Sequence, residues 1–320
     1  MKAVTGIDIA KDKFDVELVD EQGEKEQNQL VNKMSGFKKL DEWLKRHTKG
    51  PVHVCMESTS IYWEELAEYL HQAGYEVSVV NPARIKGYAM SQMRRSKTDP
   101  LDAAVIADFC RTQEPKLWTP PSPEQRKLRA LVRHLEALKK SRTQQRNRLA
   151  TCRDAEVKAS LKTVLKVIEA EIEQIQKRLE DFFDDHPELK ENRQLLESIK
   201  GIGQKTAIHL LAEMYDLAQY ENAKAAAADA GITASHFRSG KTVRRRSKMS
   251  RMGKASIRGA MYFPALTAIK HNPLVRRLSQ RLQAKGKHSK VIQVAAMRKL
   301  IHIAYGVLKN QQPFDPTYAL

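Results

Sequence analysis

The sequence predicts an α/β N-terminal domain followed by a mainly helical remainder. Three observations carry that prediction. Short apolar runs of strand length alternate with helical spacing through residues 1–112. An apolar seam then steps by four and three residues through a charged stretch, as two-stranded helical packing requires. Beyond the seam come a helix–hairpin–helix spacing and two further helical stretches, near residues 254–269 and 291–308.

Taken in order, residues 4–10 read as a buried strand, and residues 14–19 alternate as a half-exposed second one. Residues 27–32 supply a third strand. A helix follows near residues 35–47, with Phe37, Leu40 and Leu44 on one face. Strand 52–56, helix 61–73 and strand 76–80 come next, and Asn81-Pro82 ends the last strand and opens another helix. Three strands in succession, then alternating helices and strands, is the order of a ribonuclease H-like fold. The expected domains are 1–122 (catalytic), 123–187 (coiled-coil linker) and 188–320 (mainly α).

Four carboxylates stand at the ends of these elements. Asp8 closes the run Ala3-Val4-Thr5-Gly6-Ile7, and Glu57 closes Val52-His53-Val54-Cys55-Met56. Asp99 and Asp102 sit in Lys97-Thr98-Asp99-Pro100-Leu101-Asp102-Ala103, on one face of a helix whose first turn suits Pro100. A carboxylate at the end of a buried strand is costly unless something pairs with it. Magnesium takes hard oxygen ligands and keeps positions open for water and phosphate. Two such ions roughly 3.5–4 Å apart would stabilise the attacking and leaving oxygens of a phosphoryl transfer. Asp99 and Asp102 alone would be ordinary helix-capping acids. All four in this order favour a metal site.

Composition points to the substrate. The 320 residues hold 56 Lys and Arg against 38 Asp and Glu, a formal net charge of +18. Such a balance favours a polyanion, nucleic acid first and an anionic membrane second. No apolar stretch is expected to be long enough to span a bilayer, and the first residues lack the order of a signal peptide. Cys55, Cys110 and Cys152, far apart in sequence, read as buried reduced thiols of a cytoplasmic protein.

From residue 123 to 185 the chain is helical and charged. Leu161, Leu165, Ile168, Ile172, Ile175, Leu179 and Phe182 form the seam, Leu128, Leu131, Leu135 and Leu138 keep its rhythm upstream, and the pattern fades across residues 151–159. Two long helices either fold back as a hairpin or pair with another subunit, with pairing slightly preferred.

Leu196-x-x-Ile199-x-Gly201-Ile202-Gly203-x-x-Thr206-Ala207 has the spacing of a helix–hairpin–helix. Gly201 and Gly203 would let the backbone approach a phosphate at a helix N-terminus, or serve only as a tight turn. From Lys241 to Arg258 there are eight basic residues and no acidic one, Lys241, Arg244, Arg245, Arg246, Lys248 and Arg251 among them. That density fits phosphate contacts better than a solvated face of mixed sign. Arg94, Arg95 and Lys97 add cations beside Asp99, with Arg84 and Lys86 upstream. Tyr215, Tyr220, Phe237 and Tyr262 flank the basic run and either stack on bases or belong to the core. Ser239, before Gly240 and this cationic cluster, is a candidate nucleophile or an ordinary turn residue.

Gly6-Ile7-Asp8-Ile9-Ala10-Lys11, Met56-Glu57-Ser58-Thr59, Lys97-Thr98-Asp99-x-x-Asp102-Ala103, Gly201-Ile202-Gly203 and Ser239-Gly240 follow in the order seen in transposases of the insertion-sequence one-ten family, the DEDD recombinases. The chain resembles that family over nearly its whole length. It departs in having Glu57-Ser58-Thr59-Ser60 where Glu-Ala-Thr-Gly is common, and Ala234 where a proline often stands. The resemblance implies a Holliday-junction-resolvase-like domain with two Mg2+ on Asp8, Glu57, Asp99 and Asp102. It further implies Ser239 attacking a DNA phosphodiester to leave a 5′-phosphoserine, then strand exchange through a junction. Donor and target DNA, a bridge RNA and a dimer assembling to a tetramer would be the partners, in the nucleoid-associated cytoplasm with no membrane contact. Two other readings remain open: a resolvase-like nuclease using activated water, and a non-catalytic nucleic-acid-binding protein.

Overall fold

The computed structural model describes residues 2–92, 99–235, 238–239, 243–244, 248–250 and 252–317, and the backbone alone of 99–101, 235, 238–239, 243–244 and 248. It forms two compact units, Met1–Pro121 and Ser122–Leu320.

The first unit is a mixed five-stranded sheet with helices on both faces. Strands β1 (Ala3–Ile9), β2 (Lys13–Val19) and β3 (Lys25–Val31) form an antiparallel meander, followed by helix α1 (Met34–His47). Strand β4 (Val52–Glu57), helix α2 (Glu64–Gln72), strand β5 (Glu76–Val80) and helices α3 (Pro82–Ser91) and α4 (Asp99–Gln113) complete it. Strand order is β3-β2-β1-β4-β5, with β1, β4 and β5 parallel. The central strands are buried on both faces, which is why they read as continuous apolar runs. On one face Ile7, Val16, Leu18, Val54 and Met56 pack with Phe37, Leu40 and Leu44 of α1 and Leu66 and Leu70 of α2. On the other, Val4, Val19, Cys55 and Val80 meet Val105, Ile106, Phe109 and Cys110 of α4.

Helix α2 begins at Glu64 rather than near residue 61. Ser60 holds a left-handed φ of 58°, which a continuing helix does not allow. Asn81 caps α3 by accepting from the Ala83 amide at 2.8 Å, with Pro82 in the first turn as expected.

In the second unit, α5 (Pro123–Thr151) and α6 (Ala155–Asp184) fold back on each other within the chain. The break falls at Cys152–Asp154, where the seam fades, and Asp154 restarts the helix by accepting from the Val157 amide. Leu128, Val132 and Leu135 of α5 share one core with Ile172, Ile175, Leu179 and Phe182 of α6 and with the helices that follow. Those are α7 (Pro187–Glu197), α8 (Gln204–Glu213), a single 3-10 turn (Leu217–Gln219) and α9 (Ala223–Asp229). Two short ribbons follow: β6 (Ala234–Ser235) and, inside it, β7 (Arg238–Ser239) pairing with β8 (Val243–Arg244), closed by β9 (Lys248–Met249) against β6. Helices α10 (Ala255–Ala260), α11 (Tyr262–His271), α12 (Pro273–Ala284) and α13 (Ser289–Asn310) end the unit.

Three expectations are corrected. The helix expected over residues 254–269 is two helices, divided at Met261. A stretch long and apolar enough to cross a bilayer does exist, α13 with 22 residues and mean hydropathy 1.3, although half of that window is buried in the core. Cys55 and Cys110 are buried and in contact: the Cys55 thiol first, and burial second, push the Cys110 thiol up, whereas Cys152 is half-buried at the end of α5.

Candidate functional site

The register of β1 on β4 ends with Ile7 beside Met56, so the next residues, Asp8 and Glu57, stand side by side at the C-terminal ends of two parallel strands. Both are half-buried, and alternation puts them on the face shared by Gly6 and Cys55, the face that α4 covers. Glu57 is held: Thr59 Oγ1 donates to Glu57 Oε1 at 2.6 Å, and the Ser58 amide donates to Val80 O at 2.9 Å. Ser60, three residues on, holds a left-handed φ of 58° in this loop.

Two further acids share that face. Asp15 lies opposite Asp8 in the β1–β2 register and is 6% exposed, accepting from Gln29 Nε2 at 2.8 Å. Glu17, 3% exposed, accepts from Gln27 Nε2 at 2.6 Å. Like charges opposed across strands are unfavourable, and Lys13 Nζ, 3.7 Å from Asp15 Oδ2, offsets part of that cost. Sequence reading passed over Thr59, Asp15 and Glu17, although the even spacing of Asp15 and Glu17 in the second strand marks them as co-facial.

Helix α4 brings Asp99 and Asp102 toward the same sheet end. A Cβ on Gly6 would lie 2.2 Å from Ala103 O and Ala107 N, so the helix rests directly on β1. Cys110 Sγ donates to His53 O near the start of β4 at 3.7 Å. The helix therefore runs antiparallel to these strands, and its first turn points to the end where Asp8 and Glu57 sit. Asp102 is half-buried in that turn; Asp99 begins it, its side chain outside the described residues. Among the described residues no three His, Cys, Asp or Glu are grouped closely enough to hold a metal. The donors that are together, two carboxylates on neighbouring strands, are the hard oxygens magnesium takes. A cavity of about 610 Å³ opens at the opposite end of the sheet, by Val4, His53 and Cys110, and includes none of these acids.

In the second unit Ser239 ends β7, with its backbone paired to Val243. It lies in a strand rather than in the turn itself. Arg244 and Lys248 belong to β8 and β9, and Lys241, Arg245, Arg246, Arg251, Gly240 and Phe237 lie outside the described residues, as do Arg94, Arg95 and Lys97. Two cations of the basic run are engaged internally: Lys254 Nζ donates to Glu213 O at 2.7 Å, and Arg258 Nη1 donates to Gly231 O at 3.2 Å. Tyr220 is half-buried with its hydroxyl donating to Asp229, and Tyr215 packs against the core, so neither is a free stacking surface. Tyr262 is 46% exposed.

Gly201, at φ 112°, lets its turn lie against α11: an added Cβ would come within 2.7 Å of Ala268 Cβ. Gly203 precedes α8 without a side-chain cap, and an added Cβ there would meet open space. Of the pair, Gly201 is required by packing and Gly203 is not.

Residues 5–155 match the family DEDD_Tnp_IS110, described as a transposase, and residues 193–280 match a second, described as Transposase IS116/IS110/IS902 family. The chain is 32% identical over 317 residues to the pilin gene-inverting proteins of Moraxella bovis and Moraxella lacunata, covering 98% of each chain. The DEDD match implies a ribonuclease H-like α/β domain, consistent with the mixed sheet.

Proposed function

The chain belongs to the IS110 family of transposases, enzymes that cut and rejoin DNA, and from that premise we propose a serine mechanism for its strand transfer. Ser239 Oγ attacks a DNA phosphorus; the P–Oγ bond forms as the P–O3′ bond breaks. The serine proton passes to solvent and the departing 3′ oxygen takes one up, leaving a 5′-phosphoserine and a free 3′-hydroxyl. Attack by the 3′-hydroxyl of the exchanging strand then releases the serine, and the exchange proceeds through a junction.

Asp8, Glu57, Asp99 and Asp102 would hold two Mg2+, whose chemistry is to neutralise charge building on the phosphoryl oxygens. Thr59 orients Glu57 for that task. Lys241, Arg244, Arg245, Arg246, Lys248 and Arg251, with Arg94, Arg95 and Lys97, hold phosphates, and the turn at Gly201 and Gly203 acts as a helix–hairpin–helix. In this reading residues 1–122 carry the acids, 123–187 form the linker, and 188–320 carry the serine. A bridge RNA selects donor and target DNA by base pairing, and dimers joined as a tetramer set the acids of one subunit against the serine of another. The work takes place on the nucleoid.

The observation that carries the reading is the side-by-side placement of Asp8 and Glu57 at the mouth of the sheet in a chain of this family. Its test is a covalent trap. The protein is incubated with a nicked suicide DNA, Mg2+ and RNA flanking its element, and the adduct is mapped by mass spectrometry. An adduct at Ser239, absent from Ser239→Ala and Asp99→Asn, is the expected result. Cleavage without an adduct would replace the serine by metal-activated water. Relatives named for inverting a pilin gene make DNA inversion a product to assay beside insertion.

A further inference from the structure

An exposed aromatic pair stands on the second unit, a basic loop leads into the helix bonded to its backbone, and the proposed function uses neither. Phe263 is 73% exposed and Tyr262 46% exposed, their rings 5.3 Å apart and edge to face. They stand on a fixed helix. Pro264, Ala265 and Ala268 bury the inner side of α11, the Gly201 turn lies against Pro264 and Ala268, and Phe263, Leu266, Thr267 and Lys270 form its outer stripe. Gln293 Nε2 donates to Tyr262 O at 3.3 Å, which ties the second turn of α13 to the backbone of the aromatic pair.

Ahead of that turn runs Lys285-Gly286-Lys287-His288-Ser289-Lys290, exposed at every residue. Between Asp229 and Asp315 the chain has nineteen Lys and Arg and no Asp or Glu. A face meant for a second copy of so cationic a segment would be repelled by it, whereas a polyanion is drawn to it. An apolar ring with an open face near exposed cations is the arrangement that holds single strands, because every base has a face to stack and every nucleotide a phosphate.

We propose that Phe263, steadied by Tyr262, is a stacking platform for an unpaired DNA nucleotide, with Lys287 and Lys290 on its flanking phosphates. Exchanging single strands between duplexes, as proposed above, requires each to leave its own, and the platform would receive one as it does so. The inference rests on the DNA substrate of the family and on neither Ser239 nor the metal.

The test uses the full chain and three labelled probes of one sequence, about ten nucleotides long: single-stranded DNA, the DNA duplex and single-stranded RNA. A 2-aminopurine in each single strand reports stacking by its quenching. Phe263→Ala is expected to weaken single-stranded DNA binding by about ten-fold and to relieve the quenching, leaving duplex binding unchanged. Phe263→Trp is expected to restore both. Lys287→Gln with Lys290→Gln is expected to lower the salt slope of single-strand binding by about 1.4. Equal losses for duplex and single strand, a loss confined to RNA, or no change in quenching would each overturn the proposal. So would a change in sedimentation of Phe263→Ala, which would make the patch a contact between copies. None of these measurements reads catalysis, so a failed covalent trap leaves them intact.

Discussion

Replacing Gly6 by alanine tests whether the acidic sheet end is assembled by α4 resting on β1. The added carbon would lie 2.2 Å from Ala103 O, 2.2 Å from Ala107 N and 2.8 Å from Ala107 Cα, where ordinary contact begins at 3.4 Å. All three are backbone atoms of α4, so no side chain can rotate aside and the helix must lift by about 1 Å. Overpacking of this kind costs about 1–3 kcal/mol, and the absence of a yielding group puts the expected loss near ~3 kcal/mol. That is a large part of a typical domain's reserve of about 5–15 kcal/mol. The chain's three tryptophans, Trp43, Trp63 and Trp118, all lie in this unit, so urea unfolding followed by their fluorescence reports its stability directly. Because α4 carries Asp99 and Asp102, the shift should also reduce recombination by about 100-fold, the usual cost of misplacing a reacting group by about 1 Å. Gly87→Ala on α3, where an added Cβ meets open space, is the control and should gain up to about 1 kcal/mol. A Gly6→Ala protein with an unchanged urea midpoint and unchanged recombination would show that α4 does not rest on β1, and the derivation of the acidic end would fall with it.

Two further outcomes follow from the same geometry. Thr59→Val removes the hydrogen bond to Glu57 Oε1 and should weaken Mg2+ or Mn2+ binding by about ten-fold in calorimetric titration, while Thr59→Ser keeps it; equal affinity for the valine variant would mean that Thr59 does not position Glu57. Arg133 Nε and Nη2 donate to Glu213 Oε1 and Oε2 at 2.7 and 3.0 Å, and Glu213 is 3% exposed. Burial pushes that carboxyl up, but Arg133 outweighs it and holds the net value below the ordinary 4.5. A depressed folded value means the pair's contribution is present above pH 4.5 and is lost as pH falls through the folded value. Arg133→Ala should therefore cost about 2–3 kcal/mol at neutral pH, discounted for the arginine's exposure, with the deficit narrowing in acid; a deficit independent of pH would exclude the ion pair as its source.

Local chemistry made much of this molecule legible in its sequence. Strands such as Ala3–Ile9 and Val52–Glu57 were readable because burial on both faces demands unbroken apolar runs, and a carboxylate closing each run stands out against them. The fading seam marked the break at Cys152–Asp154, since an interrupted helix needs no apolar face there. Charge alone identified a polyanion as partner, because net charge depends only on composition. What could not be read depends on residues distant in the chain. The seam of α6 fits a partner helix from any source, and three-dimensional packing chose α5. Ser60 gives no local sign of a left-handed backbone; the path from Glu57 into α2 imposes it. The division of α10 from α11 at Met261 is the exception and was legible locally, since Pro264 has no N–H for the Ala260 carbonyl and tolerates only the first turn of a new helix. Cys55 and Cys110, distant in sequence, meet because α4 lies across β4. Asp8 and Glu57 were each visible as strand ends, but only the parallel register of β1 on β4 makes them neighbours, since hydrogen-bond pairing between strands is a property of the folded sheet and of neither segment alone.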